Sequence, residues 1–392
     1  MRRSPGGEQL ALLHYRIATA RWEIIVLDRS NTAHVVLTSP PEPPLVHSLA
    51  WTPDGKRLRF STNDRSGTKL SSVSLHGEVR LLYRFPELGD IQDIAPDGAM
   101  IFSIPGWSRR IAVMRPGEAS QRELGWLGSQ GIADLSPDGR MLLAIDVEAS
   151  AVDMKAVLGA TDGTSPTVLG PGVPLALSPD GRTVAMTAQD GHGLFLVPTG
   201  AGTTQEVPLP SSLVLWGNGQ WSRDGRRLWI TARQNERAGF QLFPVDVATR
   251  KLLEPIAGSN IQMGSQNAGI EISPDGRWIA AAGADQVLTV YPADKGEPIR
   301  ISSLQAAFSP FPAGWTSAGE LWVALPGATP PRLVRVELAT GKTARSIDID
   351  LRQLGAKNIS DARITPDESL LAIEYEVWRG RLELVRGIPA DR

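Results

Sequence analysis

A short turn motif recurs along the chain at nearly regular intervals. In its clearest copies an apolar residue precedes a Ser-Pro-Asp-Gly turn, as at Leu135-Ser136-Pro137-Asp138-Gly139. The aspartate position falls at 54, 97, 138, 180, 224, 275, 318 and 367, so the steps range from 41 to 51 residues. The copy at 315–319 is degenerate, and the last copy has Glu368 in place of glycine. A repeat of about 40 to 50 residues with strand-like content is typical of β-propeller blades.

Each copy has the same internal order of elements. A short apolar stretch such as Leu175-Ala176-Leu177 precedes the turn, and a second apolar stretch follows it. Proline pre-sets φ, aspartate accepts hydrogen bonds from the backbone, and glycine adopts positive φ, so the motif predicts a hairpin. A third strand and a more polar outer strand complete the unit, as at 194–197 and beyond. The sequence therefore predicts an all-β fold of four-stranded antiparallel blades.

The repeats cover nearly the whole chain, which favours a single propeller domain over residues 1–392. Residues from about 46 to 350 contain complete blades, whereas 8–39 and 362–388 supply only partial ones. If the N-terminal outer strand completes the last blade, the ring closes with eight blades. We therefore expect eight blades, with seven as the runner-up.

The composition excludes several functional classes. Lys plus Arg is 40 and Asp plus Glu is 42, a net charge of -2, which argues against a nucleic-acid partner. The absence of cysteine excludes disulfides, thiol catalysis and cysteine-ligated metals. The longest uncharged run, 301–319, contains Pro310 and Pro312 and is a poor membrane helix, so we expect no membrane insertion. Charged and polar residues follow Met1 at once, and no export signal is expected, which leaves the location of the chain open.

The repeat resembles a known family of propellers. The turn Ser-Pro-Asp-Gly-Arg followed by an apolar strand is similar to the WD40-like repeat of TolB-type propellers. A closer resemblance, to the C-terminal propeller of bacterial transmembrane serine/threonine kinases, rests on the following segments: 133–143, 161–164, 175–182, 197–202, 272–277, 290–292 and 336–341.

In that kinase-attached family a cytoplasmic kinase and a membrane helix precede an extracytoplasmic propeller that acts as a sensor. The resemblance therefore implies a sensor module, with an upstream kinase and membrane helix as possible partners in relatives. This chain departs from the family pattern because it contains neither of them. No kinase activity is implied for it.

Signatures of catalysis, metal binding and cofactor binding are missing from the sequence. The chain has no kinase glycine-rich loop with its paired lysine, no H-R-D catalytic loop and no G-x-S-x-G nucleophile elbow. The five histidines are scattered singly, without the spacing of metal ligands. We therefore predict no catalytic residue, no metal site and no cofactor.

Two repeated positions have a simple structural interpretation. The turn aspartates lie in equivalent places, so each is expected to cap its own hairpin rather than share a ligand. Trp51, Trp221 and Trp315 occupy one equivalent slot, which other copies fill with Ile or Leu. That slot is expected to pack between blades.

The slot one residue earlier is the best candidate for a binding site. In the innermost strand of each blade it would approach the central channel. It holds small residues in three copies and polar or charged residues in the others, namely Asp93, Asp134, Gln220, Glu271 and Arg363. These five side chains could bind a cation, a peptide amine or ordered water. The alternative is a solvated channel wall without a ligand.

Two functions of different classes are compatible with this pattern. The first is a non-catalytic binding or sensor module that takes a protein, a peptide or a small-molecule ligand. The second is a hydrolase or lyase with its site in the central channel.

Overall fold

The computed structural model is built of β-strands. It describes residues 1–16, 21–40, 46–64, 67–85, 88–104, 106–116, 121–126, 130–147, 154–217, 219–235, 238–261, 269–304 and 309–388. Within these ranges there is no α-helix, and one short 3-10 turn spans Arg352–Leu354. The predicted all-β class with four-stranded antiparallel sheets is confirmed.

The chain divides into two compact units. Unit 1 contains Met1–Trp107 and Trp378–Arg392, and unit 2 contains Ser108–Val377. The single domain over 1–392 inferred from the repeat stays a prediction.

Unit 1 contains three antiparallel sheets. Sheet 1 is formed by β1 (Arg2–Arg3), β2 (Leu10–Arg16), β3 (Arg21–Leu27) and β4 (Ala33–Thr38). Sheet 2 is formed by β5 (Val46–Trp51), β6 (Arg57–Asp64), β7 (Gly67–Ser74) and β8 (Val79–Phe85). Sheet 3 has only three strands, β9 (Asp90–Ile94), β10 (Met100–Ile104) and β36 (Arg381–Val385).

Unit 2 begins with three sheets that each use consecutive strands. Blade 1 contains β13 (Gln130–Leu135), β14 (Met141–Val147), β15 (Met154–Ala160) and β16 (Thr167–Pro171). Blade 2 contains β17 (Val173–Leu177), β18 (Thr183–Thr187), β19 (Leu194–Pro198) and β20 (Gln205–Val207). In blade 3, β21 (Val214–Leu215) and β22 (Gln220–Trp221) both pair with β23 (Arg227–Arg233), which is followed by β24 (Gln241–Asp246) and β25 (Lys251–Leu252).

Three further sheets complete unit 2. Blade 4 contains β26 (Ile270–Ile272), β27 (Trp278–Ala282), β28 (Leu288–Pro292) and β29 (Ile299–Ile301). Blade 5 contains β30 (Phe311–Trp315), β31 (Leu321–Leu325), β32 (Arg332–Glu337) and β33 (Lys342–Asp348). Blade 6 is assembled in the order β34 (Ile359–Ile364), β35 (Leu371–Trp378), β11 (Trp107–Met114) and β12 (Gln121–Glu123).

The innermost strands of unit 2 contact one another in a closed order. The contacts run from β13 to β17, β22, β26, β30 and β34, and β34 contacts β13 again. A separate buried apolar cluster lies between each pair of neighbouring blades, including the pair formed by blades 6 and 1. This cyclic stacking of antiparallel sheets is the architecture of a β-propeller.

Strand β14 illustrates why the sheets stack face to face. Leu142 and Ala144 belong to the cluster shared with blade 6, whereas Leu143 between them belongs to the cluster shared with blade 2. Successive side chains of a strand point to opposite faces, so a continuous apolar run buries both faces. Such a sheet needs a neighbour on each side.

The ring of unit 2 is closed by strands that are far apart in sequence. Strands β11 and β12 follow the turn of Asp97, yet β11 pairs with β35 of the last repeat. Strand β10 of the same repeat pairs with β36. The N-terminal outer strand β4 pairs within sheet 1 and does not complete the last blade. The count of eight blades, or seven as runner-up, is not confirmed, because the described residues form nine sheets, six of which make the closed ring. The repeat spacing carries no information about which strands pair across this distance.

The repeated aspartates cap their own turns, as predicted. Asp138 Oδ1 accepts hydrogen bonds from Ser136 Oγ at 2.7 Å and from the Arg140 amide at 3.1 Å. Gly139 has φ of 68°, a conformation that favours glycine. Each of the other turn aspartates likewise accepts a hydrogen bond from the amide two residues ahead: Asp54, Asp97, Asp180, Asp224, Asp275 and Asp367.

The tryptophan slot packs between sheets, which is also as predicted. Trp51, Trp221 and Trp315 are buried in the clusters between sheets 1 and 2, blades 2 and 3, and blades 4 and 5. The indole of Trp315 donates to the Glu271 carbonyl of the preceding blade at 2.9 Å.

The closure of blade 6 can be tested at Tyr375. This residue of β35 is fully buried, and its hydroxyl donates to Glu123 Oε2 of β12 at 2.7 Å, across the intervening strand β11. We expect Tyr375→Phe to lower the free energy of unfolding by about 1 to 2 kcal/mol, because the hydrogen bond is lost without a change in packing. The measurement is urea unfolding followed by tryptophan fluorescence. Tyr83→Phe is the control, since Tyr83 is 49% exposed on β8; equal losses in both variants would contradict the closure.

Candidate functional site

The candidate site lies on the inner strands of unit 2. Asp134, Gln220, Glu271 and Arg363 belong to β13, β22, β26 and β34, the strands that form the inner circle. In β13 and β34 the pairing register shifts just before this region, at Ile132/Asp134 and at Ile359/Asp361. The structure therefore brings four of the five predicted residues to the inner strands of one unit.

Asp93, the fifth predicted residue, differs from the other four. It lies on β9 in unit 1, its side chain is exposed, and Oδ1 accepts only the amide of Ile94 at 2.9 Å among the described residues. It does not form part of the site in unit 2.

Arg363 is the centre of the site. Its Nε lies 3.3 Å from Glu271 Oε1 of blade 4, and its Nη1 lies 2.5 Å from Asp361 Oδ1 on its own strand. Blade 5 separates these two blades, and its equivalent slot holds Gly314, where an added Cβ atom would lie only 2.6 Å from the Ile364 carbonyl oxygen. A Cβ atom at Gly269 would lie only 2.8 Å from Arg363 Nη2, so the backbone of β26 approaches the guanidinium closely.

Gln220 connects blade 3 to the same centre. Its Nε2 donates to Glu271 Oε2 at 2.9 Å, and its Oε1 accepts the backbone amide of Ile272. Glu271 thus has one carboxylate oxygen on Gln220 and the other on Arg363. These three predicted residues form one continuous contact chain across four blades.

Asp134 links blade 1 to blade 2. Its Oδ1 accepts the amide of Leu135 at 2.9 Å, and its Oδ2 accepts the amide of Leu177 at 2.8 Å. The carboxylate therefore satisfies backbone donors of two inner strands, a structural role that any buried polar group at this place must fulfil. Asp134 also interacts electrostatically with Glu271 and Arg363.

Three further residues that the sequence analysis missed complete the site. Asp361 stands directly opposite Glu374 in the pairing of β34 with β35. The Nη1 atom of Arg109, on β11, is 3.3 Å from Glu374 Oε1. The other Glu374 oxygen accepts the amide of Ile132 at 2.8 Å. We call the whole set the inner-strand cluster: Arg109, Asp134, Gln220, Glu271, Asp361, Arg363 and Glu374.

Two signals in the sequence point to the missed residues. Glu374 is a charged residue directly after the apolar stretch Leu371-Ala372-Ile373. Asp361 lies two positions before Arg363, and therefore on the same face of the strand. Arg109 has no such signal, because only the pairing of β11 with β35 brings it to the site.

The electrostatics of the inner-strand cluster are dominated by burial. Burial raises the pKa of the Asp361 carboxyl to about 7, with Arg363 opposing the shift and the neighbouring Glu374 carboxylate adding to it. Burial likewise raises the pKa of Asp134 to about 7, against the hydrogen bond from the Leu177 amide. The pKa values of Glu271 and Glu374 are raised for the same reason. Four carboxyl groups thus share two guanidinium groups, an excess of two acids.

The Asp361 carboxylate has one oxygen that no donor reaches within the described part of the chain. Asp361 is 1% exposed, and its Oδ2 has no hydrogen-bond partner among the described residues. A buried carboxylate oxygen without a donor is costly, so this atom favours a proton or a donor supplied by another molecule. Within the described part of the chain, no group of three or more His, Cys, Asp or Glu side chains is arranged to hold a metal ion.

No family model matches the sequence, and no curated protein matches it. The structure is similar to the crystal structure of TolB from Acinetobacter baumannii, with 15% identity and a TM-score of 0.33, over 74% of this chain and 65% of that chain. It is also similar to the putative TolB from Agrobacterium tumefaciens, with 16% identity and a TM-score of 0.32, over 91% of this chain and 98% of that chain. This chain thus spans just under two thirds of the Acinetobacter protein, and the propeller architecture of unit 2 rests on its own strand pairing.

Across the described ranges, no helix is long and apolar enough to cross a membrane.

The raised pKa values predict that stability depends on pH. The folded chain binds protons at Asp134 and Asp361 up to about pH 7, whereas unfolded aspartate loses them near its ordinary value of 3.8. Stability from these groups is therefore present at low pH and is lost as pH rises from about 4 to 7. We expect the melting temperature to fall between pH 5 and pH 8, and Asp361→Asn to reduce this slope.

Calorimetric melting of the wild type, Asp361→Asn and the exposed control Glu254→Gln over this pH range checks the prediction. Six of the turn aspartates do not interfere, because hydrogen bonds lower their pKa values, to about 2 for Asp275: Asp54, Asp138, Asp180, Asp224, Asp275 and Asp367. A wild-type melting temperature that rises from pH 5 to pH 8 would contradict it.

Arg363 is predicted to be the main compensating charge. Replacing it by methionine in Arg363→Met leaves Glu271 and Asp361 without a counter-ion, so we expect a loss of about 3 to 5 kcal/mol in the free energy of unfolding at pH 8. The loss should be smaller at pH 5, where the Asp361 carboxyl is protonated. Arg300→Met removes the exposed pair with Asp285 and should cost less than about 1 kcal/mol. Urea unfolding at both pH values makes the comparison, and a pH-independent loss is the contrary result.

Proposed function

We propose that this chain is a non-catalytic propeller that binds ligands, and that the inner-strand cluster of unit 2 receives the positively charged group of a peptide or small molecule. The observation that carries the proposal is the unpartnered, buried Oδ2 of Asp361 within a group that has two more carboxyls than guanidiniums. An ammonium group would donate a hydrogen bond to this oxygen. Its positive charge would also offset the excess of carboxyls in the cluster.

Because the pKa values of Asp134 and Asp361 are raised, binding of a cation should change the protonation of these two carboxyls. Near pH 7 the cluster holds protons at Asp134 and Asp361 in place of a cation. A bound ammonium favours the ionised carboxylates and so lowers their pKa values. Binding at neutral pH should therefore release protons to the solvent.

The biological role that we propose for this module is that of a sensor. Support comes from the resemblance of its repeats to the propeller attached to bacterial transmembrane serine/threonine kinases. In that setting the propeller would be extracytoplasmic, and a kinase with a membrane helix would be its partner. The chain itself is proposed to contribute binding, without kinase activity.

The alternative function, a hydrolase or lyase in the channel, has one observation in its favour. Two carboxyls with pKa values of about 7 are suited to general acid–base catalysis at neutral pH. Asp134 and Asp361 are, however, only 8% and 1% exposed, which favours a small ligand group over a whole substrate. A screen against hydrolase and lyase substrates, with and without a chelator, distinguishes this alternative.

The binding proposal is tested by calorimetric titration with short peptides that differ only in a free or an acetylated amino terminus. We expect the free-amine peptides to bind and to release protons, detected as a dependence of the heat on the ionisation enthalpy of the buffer. The acetylated peptides should not bind, because they lack the charge.

Two variants complete the titration experiment. Asp361→Asn should abolish binding of the free-amine peptides, and Glu254→Gln, exposed and remote from the cluster, should leave it intact. Equal binding of free and acetylated peptides, or unchanged binding in Asp361→Asn, would refute a cation site in the cluster.

A further inference from the structure

Among the sheets that the described residues form, sheet 3 of unit 1 is the one with three strands. Its outer strand β36 pairs with β10 alone among the described strands. Every residue from Arg381 to Leu384 is exposed. The outer edge of β36 therefore presents backbone donors and acceptors that a further strand could pair with.

The same strand carries apolar side chains on one face. Leu382 is 72% exposed and Leu384 is 59% exposed. Their partners across the ladder are Ser103 and Ile101, and Ile101 is 41% exposed. Paired residues share a face of the sheet, so Ile101, Leu382 and Leu384 form one exposed apolar patch beside the open edge.

Several features that commonly block such an edge are missing from β36. Natural edge strands are often protected by charged side chains, especially lysine, by proline or by bulges, and the two charged residues of β36 are of opposite sign. The sequence Arg-Leu-Glu-Leu-Val of β36 contains neither lysine nor proline, and its register with β10 runs without a shift. The strand is therefore open to pairing.

The charges of β36 indicate which strand fits. Arg381 and Glu383 lie on the face opposite Leu382, with Arg381 Nε 2.7 Å from Glu383 Oε1. When two β36 strands pair in antiparallel fashion about Leu382, Arg381 of each copy stands opposite Glu383 of the other copy. Leu382 then faces Leu382. The strand is its own complement in charge and in apolar character.

We propose that two copies of this chain associate edge to edge through antiparallel pairing of β36. The contact is two-fold symmetric, which is the commonest arrangement of homodimers, and it joins two three-stranded sheets into one of six strands. The apolar patches of the two copies become neighbours across the new ladder. This proposal is independent of ligand binding in unit 2.

The test is sedimentation equilibrium of the full chain over a concentration series. We expect a monomer–dimer equilibrium for the wild type. Arg381→Glu and, separately, Glu383→Arg place like charges opposite each other and should each weaken dimerisation about tenfold or more. The double variant restores the complementarity with the signs exchanged and should dimerise nearly as well as the wild type.

A second substitution tests the register. Leu382→Lys puts two lysines on the symmetry axis and should abolish the dimer. Val168→Lys, at a 52% exposed position on the edge strand β16 of unit 2, is the matched control and should leave it unchanged. Circular dichroism confirms that each variant is folded.

Three results would overturn the proposal: a wild type that stays monomeric, a dimer insensitive to the single charge reversals, or a double variant that is no better than the singles. A monomer would mean that the edge serves another partner or none.

Discussion

The structure depends on the packing of β-sheets whose two faces are both apolar. In β14 the side chains of Leu142 and Leu143 enter different clusters, so blade 1 has no face that can be left to water. Each sheet therefore requires a neighbour on both sides, and a closed circle is the arrangement that provides one for all of them. In unit 2 six sheets meet this requirement, and the apolar clusters continue around the circle without a break. The pairing of β11 with β35 makes this possible, because blade 6 would otherwise consist of two strands.

The same closure creates the chemistry of the inner strands. Side chains on these strands are withdrawn from water by the neighbouring blades, and buried polar groups must find partners. Asp134 and Gln220 do so by accepting amides from the next inner strand, whereas Glu271, Asp361 and Glu374 depend on Arg363 and Arg109. Acids outnumber arginines, so burial raises the carboxyl pKa values toward neutrality instead of being balanced by ion pairs. The cluster is for this reason both a support for the ring and a place where a positive charge is favoured.

Much of the local structure could be predicted from the sequence, because it depends on residues close together in the chain. The turn at Asp138 is formed by residues 136–140, and its repetition marks the hairpin between the first two strands of each repeat. The slot of Asp134, Gln220, Glu271 and Arg363 was likewise recognisable from its constant offset to that turn. Asp93 occupies the same slot by sequence, yet it lies exposed in unit 1. An equivalent position in a repeat therefore predicts the strand and the face, but not the environment.

The sequence by itself thus determined the strands, the turns, the alternation of apolar faces and the polar inner slot, since each follows from backbone preferences and side-chain periodicity within one repeat. Only the tertiary structure decided which strands pair although more than two hundred residues separate them in sequence. It also decided where the ring closes and which sheet has three strands among the described residues. Those outcomes depend on which of several similar strands pair with one another. Because the repeats have nearly the same pattern, the sequence of one repeat does not distinguish between these partners. The ion pair between Arg109 and Glu374 and the unpaired edge of β36 both result from this long-range strand pairing, which cannot be predicted from a single repeat.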